Sequence, residues 1–174
     1  LTLRRPEITR GLMMYRYRRL NEARANAQAE GWAGAMYPWQ SGSDGREETP
    51  PELFNHHSQR WLPDNSWRQF HVGLAIAYNA WLYYEATGDL DWLSGHGSDL
   101  IIGITRLFDS LAEYDEADGR YHISGVMGPD EYHDGPRGQH GGGLKDNAYT
   151  NVLAAWLFRH SAHIFQDMVR SEER

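Results

Sequence analysis

Four stretches of helical apolar periodicity, joined alternately by a long irregular loop and a tight turn, leave this chain few architectures other than packed helical hairpins. The first stretch spans about Pro6 to Glu30. It opens with Pro and Glu, which suit a helix start, carries Met13, Leu20, Ala23 and Ala27 on its apolar stripe, and stops at Gly31. The second, about Ser66 to Thr87, has one seam through Phe70, Leu74, Ala77, Trp81 and Tyr84 and another through Ile76, Ala80 and Tyr83. A helix apolar over that much of its circumference is buried on more than one side. Thr87-Gly88-Asp89 ends it and opens the third, where Leu93, Leu100, Ile104, Leu107 and Leu111 predict an amphipathic, outward-facing helix. The last runs from about Asp146 to Met168, with Leu153, Leu157, Ile164 and Met168 aligned. Asp118-Gly119, between Glu113-Tyr114 and Tyr121-His122-Ile123, predicts one short β-hairpin. Otherwise the class is all-α, with no solenoid repeat and no second domain within residues 1–174. Alternation of a deeply buried helix with one exposed on its back predicts an inner and an outer layer.

Composition narrows the partners. There are 24 acidic against 17 basic residues, a net charge of −7, and no stretch gathers cations with aromatics, so nucleic acid is a poor partner. Absence of cysteine excludes disulfides and thiolate metal sites and is compatible with a reducing compartment. No apolar run reaches the roughly 20 residues of a membrane span, so a soluble, cytoplasmic protein is expected. The chain opens at Leu1, close to a helix, which suggests that upstream sequence, including any signal peptide, is missing.

The two long loops, Gly31 to Asn65 and Ser124 to Lys145, are where chemistry is expected. The second holds Gly128-Pro129-Asp130-Glu131-Tyr132-His133-Asp134, three carboxylates with a phenol and an imidazole behind a Gly-Pro turn. Such a group suits cleavage of a glycosidic bond, which needs an acid for a poor leaving group. Holding a glutamic acid protonated from about 4.3 up to 6–7 costs about 3 kcal/mol. Like charge from Asp130 and burial by Tyr132 would act in that direction. Spacing alone suits an acidic calcium-binding or helix-capping loop at least as well.

The first loop holds Gly34-Ala35-Met36-Tyr37-Pro38-Trp39-Gln40-Ser41, then Glu47-Glu48. Trp39 suits a sugar platform and Gln40 an edge contact, although packing of the indole on a helix is as good a reading of the residues alone. Glu47 and Glu48 are candidate second carboxylates, with a solvated face as the default. His56-His57, His71, His133 and His140 lack the helical i, i+4 spacing of a zinc site, so no metal is expected. His71 starts a buried helix and equally suits a hydrogen-bonded core residue. Asp146 or Asn147 suits a helix cap, leaving Lys145 as an anion or hydroxyl contact.

These residues resemble glycoside hydrolase family 65, which includes maltose, trehalose and kojibiose phosphorylases and some hydrolases. The resemblance is carried by Tyr15-Arg16-Tyr17, Gly34 to Ser41, His71 to Tyr78, Thr87-Gly88-Asp89, Val126 to His133 and Asp146 to Asn151, in family order along nearly the whole chain. It implies part of an (α/α)6 barrel, two concentric rings of helices whose loops at one end form a pocket for an α-linked glucosyl disaccharide. It implies inversion, with Glu131 as general acid and Trp39, Gln40, His71, Tyr132, His133, Lys145 and Asn147 as sugar contacts. No cofactor is implied, only inorganic phosphate as co-substrate in a phosphorylase or water activated by a second carboxylate in a hydrolase. A homo-oligomer of the full-length protein stays open. The family's upstream Phe-Trp-Asp-Thr-Glu block and downstream phosphate-holding region are absent here, and Gly73, Ala75 and Lys145 replace its usual Asn, Asp and Asp. An internal fragment, inactive alone, is therefore expected. The competing reading is a carbohydrate-binding or scaffolding helical domain without chemistry.

Overall fold

The computed structural model describes residues 1–130, 133–136, 138–139 and 141–172, with side chains through residue 164. Helix α1 (Pro6–Tyr17) and α2 (Leu20–Ala29) are followed by a hairpin of β1 (Glu52–Asn55) and β2 (Arg60–Pro63) and a 3-10 turn (Ser66–Arg68). Then come α3 (His71–Thr87), a short α4 (Leu90–Trp92), a π-helical turn (Leu93–Gly97), α5 (Ser98–Leu111), a second hairpin of β3 (Ala112–Asp115) and β4 (Arg120–Ile123), and α6 (Ala148–Glu172). Both sheets are two-stranded and antiparallel.

The first predicted helix is broken at Arg18-Arg19. The Arg16 carbonyl, which a continuous helix would give to Leu20, instead accepts from the Tyr37 hydroxyl at 3.0 Å and from the Arg19 N–H. Tyr15 and Arg16 also reach back, to the Gly42 carbonyl (2.6 Å) and Ser41 Oγ (3.1 Å), so the Tyr-Arg-Tyr block ties the first loop to α1. The second predicted helix begins at His71 rather than Ser66, because the preceding residues form the 3-10 turn. Its end follows the prediction: Gly88 is left-handed (φ 67°), and Asp89 accepts from the Trp92 N–H (3.0 Å) and the Tyr83 hydroxyl (2.8 Å).

Helix α5 is amphipathic, with one face exposed, as its pattern predicts. Its back is wet at Arg106, Asp109 and Ser110, but its apolar face packs on α1, α2, α3 and α6 at once, with Leu100, Ile101, Ile104, Leu107 and Phe108 all buried. The α6 seam also differs from the predicted one: Thr150, Ala154, Leu157, Ser161 and Ile164 are buried, Leu153 is half-buried, and the Met168 side chain lies outside the described residues. Small polar residues fit that seam because Thr105 Oγ1 and Ser161 Oγ meet at 2.7 Å, while each hydroxyl also bonds a carbonyl of its own helix.

The predicted hairpin forms around Asp118-Gly119, with Tyr114 opposite Tyr121 and Gly119 left-handed. The β1–β2 hairpin was not foreseen within the first loop. It pairs Phe54 with Trp61 across the strands, and Asn55 Oδ1 closes its turn by accepting from the N–H groups of His57 and Ser58. No helix among the described residues is long and apolar enough to cross a membrane.

Candidate active site

Gly34-Ala35 seats the first loop on α5. Gly34 is left-handed (φ 81°), a Cβ there would land on the Gly103 carbonyl and the Leu107 nitrogen, and Ala35 N–H donates to the Gly103 carbonyl at 2.8 Å. Tyr37 is buried behind it, and burial pushes its phenol well above the usual range against the pull of Arg16 and Arg24. Trp39 is 38% exposed. Its backbone is set by Glu47, whose carboxylate accepts from the N–H groups of Trp39 (2.8 Å), Gln40 (3.1 Å) and Thr49 (3.1 Å) and from Thr49 Oγ1 (2.6 Å). Glu47 is thus occupied in building the turn beneath the indole, which accounts for it without a role as second carboxylate. Gln40 accepts the Glu48 N–H through its carbonyl and leaves its side chain exposed.

The second loop is pinned at successive points along its length. Val126 and Leu144 pair as an isolated bridge (2.7 and 3.4 Å), Met127 N–H donates to the Arg68 carbonyl (3.0 Å), and Gly128 N–H donates to the His133 carbonyl (2.8 Å). Gly143 N–H reaches the Asp134 carbonyl at 2.7 Å, Asn65 Nδ2 donates to Asp134 Oδ2 at 2.9 Å, and Arg68 Nη1 donates to the Gly141 carbonyl at 2.9 Å. Gly128 is thus closed onto His133, whose own N–H donates to the Asp130 carbonyl at 3.3 Å. Glu131 and Tyr132 themselves lie outside the described residues, as does His140. His133 is half-buried, its ring standing where a Cβ on Gly128 would be.

His71 stands between the first loop and the start of α6. Its side chain is 6% exposed, and its ring sits 5.7 Å from that of Trp39 and 5.4 Å from that of Tyr149. Burial holds the imidazole below its usual pKa, the Met127 contact opposing, which favours the neutral ring. At the start of α6, Asn147 Oδ1 accepts from Thr150 N–H (3.1 Å) and Thr150 Oγ1 (3.3 Å), so of the two cap candidates, Asp146 and Asn147, it is Asn147 that caps. Lys145 is exposed and makes no ion pair among the described residues.

Sequence reasoning missed the groups that brace these loops. Asn65 and Arg68 precede α3 and carry no local pattern that would mark them. His122 had a faint one, four residues after Asp118 across a turn. Its Nδ1 meets Asp146 Oδ2 at 2.6 Å and its Nε2 meets Asp118 Oδ2 at 3.1 Å, tying the second hairpin to the entry of α6. A carboxylate oxygen of Asp115 lies within 4.8 Å of Asp118 and His122, and Asp115 Oδ1 accepts from the Ala117 N–H at 2.8 Å.

The whole chain, residues 1–174, matches the model of the glycosyl hydrolase family 65 central catalytic domain. It is 52% identical over 157 residues to an uncharacterized glycosyl hydrolase of Mycobacterium tuberculosis, covering 90% of this chain and 12% of that protein. It is 50% identical over 151 residues to trehalose 6-phosphate phosphorylase of Lactococcus lactis (87% and 19%), and 37% identical over 166 residues to kojibiose phosphorylase of Caldanaerobacter subterraneus (94% and 20%). A solved chain described as a candidate kojibiose phosphorylase from the human microbiome superposes with a TM-score of 0.73 at 25% identity, over 92% of this chain and 21% of that one. The chain thus spans about a fifth or less of the length of each of these relatives, and it belongs to glycosyl hydrolase family 65, within the central catalytic domain.

Proposed function

We propose that this chain forms the acid-bearing part of an (α/α)6 barrel in a cytoplasmic phosphorylase that cleaves the α-glucosidic bond of a glucosyl disaccharide with inversion. The observation that supports this reading is that the second loop is anchored on either side of Glu131, by Met127 N–H on the Arg68 carbonyl and by Gly128 N–H on the His133 carbonyl, while the first loop presents the half-open indole of Trp39 against His71. Protonation of a departing sugar oxygen requires a carboxylic acid held in place, and a loop anchored on both sides of Glu131 suits that need.

In this reading Glu131 gives its proton to the glycosidic oxygen as the C–O bond to the anomeric carbon breaks. An oxygen of inorganic phosphate attacks that carbon from the opposite face, yielding β-glucose 1-phosphate and the free acceptor sugar. Trp39 carries the apolar face of a pyranose, while Gln40, Tyr132, His133, Lys145 and Asn147 supply edge contacts. Asn147 does so with its amide nitrogen, its oxygen being engaged in the cap. The named relatives at 50% and 37% identity are both phosphorylases, which favours phosphate over water as the nucleophile. Trehalose 6-phosphate is the first substrate to assay, both from that relative's name and because the exposed Lys145 ammonium suits an anionic sugar.

The test uses the full-length protein. Glucose 1-phosphate should appear only with phosphate present, and Glu131→Gln should lower kcat on the disaccharide by about 10²–10⁴-fold, the usual worth of a general acid. Turnover in Glu131→Gln within a few fold of the parent ends the assignment of Glu131. Equal sugar release with and without phosphate assigns hydrolysis, for which a second carboxylate about 6.5–9.5 Å from Glu131 would have to come from outside this chain.

A further inference from the structure

We propose that Tyr149 is a second sugar-binding ring, contacting the bound disaccharide beside Trp39. The inference rests on the reading of this chain as part of a disaccharide enzyme with Trp39 as its platform. Tyr149 stands in the first turn of α6, two residues after the Asn147 cap. Its ring centroid lies 5.4 Å from that of His71 at an interplanar angle of 89°, and the Trp39 centroid lies 5.7 Å from the same imidazole at 60°. The histidine is 6% exposed, whereas Tyr149 is 43% and Trp39 38% exposed. Two half-open rings from separate stretches of chain therefore converge on one buried ring.

The direction of the helices explains the convergence. Ring pairs between α3 and α6 are His71 with Tyr149, Tyr78 with Trp156 and Trp81 with His160, so residue numbers rise together along both helices. Helices α3 and α6 are thus parallel, and both begin at the end where the long loops arrive, the first loop leading to α3 and the second to α6. Tyr149 belongs to that end, with Trp39, Lys145 and Asn147. A tyrosine suits a pyranose there, because its face takes the C–H side of the sugar while its hydroxyl reaches a sugar hydroxyl. That hydroxyl completes no hydrogen bond among the described residues. Packing on His71 alone would need neither the exposure nor the hydroxyl.

The same seam supplies a control. Tyr78 is a tyrosine of like exposure, 45%, with its ring 5.3 Å from that of Trp156. It lies two turns along α3 from His71, about 10 Å from the loop end at a rise of about 1.5 Å per residue. Calorimetry on the full-length protein, without phosphate, measures the binding of trehalose 6-phosphate, kojibiose and maltose to the parent and to Tyr149→Ala, Tyr149→Phe and Tyr78→Ala. For a disaccharide that the parent binds, Tyr149→Ala is expected to raise Kd about thirtyfold or more. Tyr149→Phe keeps the ring and loses one hydrogen bond, so its Kd should rise about three- to tenfold. Tyr78→Ala should change Kd by less than about twofold.

A Kd in Tyr149→Ala within about threefold of the parent, or an equal rise in Tyr149→Ala and Tyr78→Ala, overturns the inference and leaves the disaccharide reading standing. Should Tyr149→Ala not fold, Tyr149→Phe decides, and a Kd there equal to the parent's overturns the inference. If the parent binds none of the three sugars, the disaccharide reading falls, and this inference with it. Proton transfer plays no part in the measurement, so failure of the acid assignment is read separately, from kcat in Glu131→Gln.

Discussion

The backbone N–H of Trp39 donates to the Glu47 carboxylate at 2.8 Å, eight residues away in sequence, and the same carboxylate gathers three further donors from Gln40 and Thr49. Four donors on one carboxylate make the turn under the indole a built structure rather than a slack loop, since charge-assisted hydrogen bonds are the stronger kind. Glu47→Ala should therefore act on sugar binding more than on chemistry. We expect KM for the disaccharide to rise about tenfold with kcat changed less than threefold, the equivalent of losing about 1.4 kcal/mol of uniform binding. Steady-state kinetics of the full-length enzyme check this, and a fall in kcat at constant KM would place Glu47 in the chemistry after all.

Seating this loop requires Gly34, and Gly31 supplies the control. Both residues have φ of 81°, so alanine at either meets the same backbone penalty of about 1–2 kcal/mol. At Gly31 a Cβ meets nothing within 4 Å, whereas at Gly34 it would land on α5 backbone at Gly103 and Leu107. Backbone cannot swing aside as a flexible side chain can, so Gly34→Ala should cost about 2–3 kcal/mol beyond Gly31→Ala. Thermal melts of the two variants should order accordingly, Gly34→Ala well below Gly31→Ala. Equal midpoints would mean that the loop is not seated on α5 in solution.

The features legible in the sequence were those whose cause is local. Thr87-Gly88-Asp89 reads as helix punctuation because Gly88 must be left-handed and Asp89 must cap, and both do. Asp118-Gly119 and Asn147 were readable for the same reason. What escaped depends on partners far along the chain. The break at Arg18-Arg19 follows from the Tyr37 hydroxyl taking a helix carbonyl from 21 residues away, and the polar seam of α6 follows from Thr105, 56 residues before Ser161. No window of helical periodicity contains those facts. The site was divided in the same way. Trp39 and the Gly-Pro turn could be picked out as sugar-binding and acid-bearing types, but the meeting of Trp39 with a buried His71 is a tertiary fact. The residues of the second loop, read alone, suited a calcium loop as well, and it was resemblance to a family that turned attention to Glu131.

The His122–Asp146 pair makes the entry of α6 sensitive to pH, and the direction can be worked out. The hydrogen bond that the His122 imidazolium donates to the Asp146 carboxylate holds its pKa above the ordinary 6.5, against some desolvation and the Lys145 charge. Burial pushes the Asp146 carboxyl up, but donors from His122, Asn151 and the Ile123 N–H outweigh it, leaving the group below its ordinary 3.8. A raised histidine stabilises the fold fully below about pH 6.5 and ceases to do so as pH climbs through its folded value. A depressed aspartate stabilises above about pH 3.8 and ceases as pH falls through its folded value. The pair is therefore at full strength between those limits. His122→Gln should lower the melting temperature most in the mildly acidic range, and its gap from the parent should close on going alkaline. The measurement is parent minus variant melting temperature across that range. A gap of constant size from mildly acidic to alkaline pH would show that His122 acts by shape alone, without its charge.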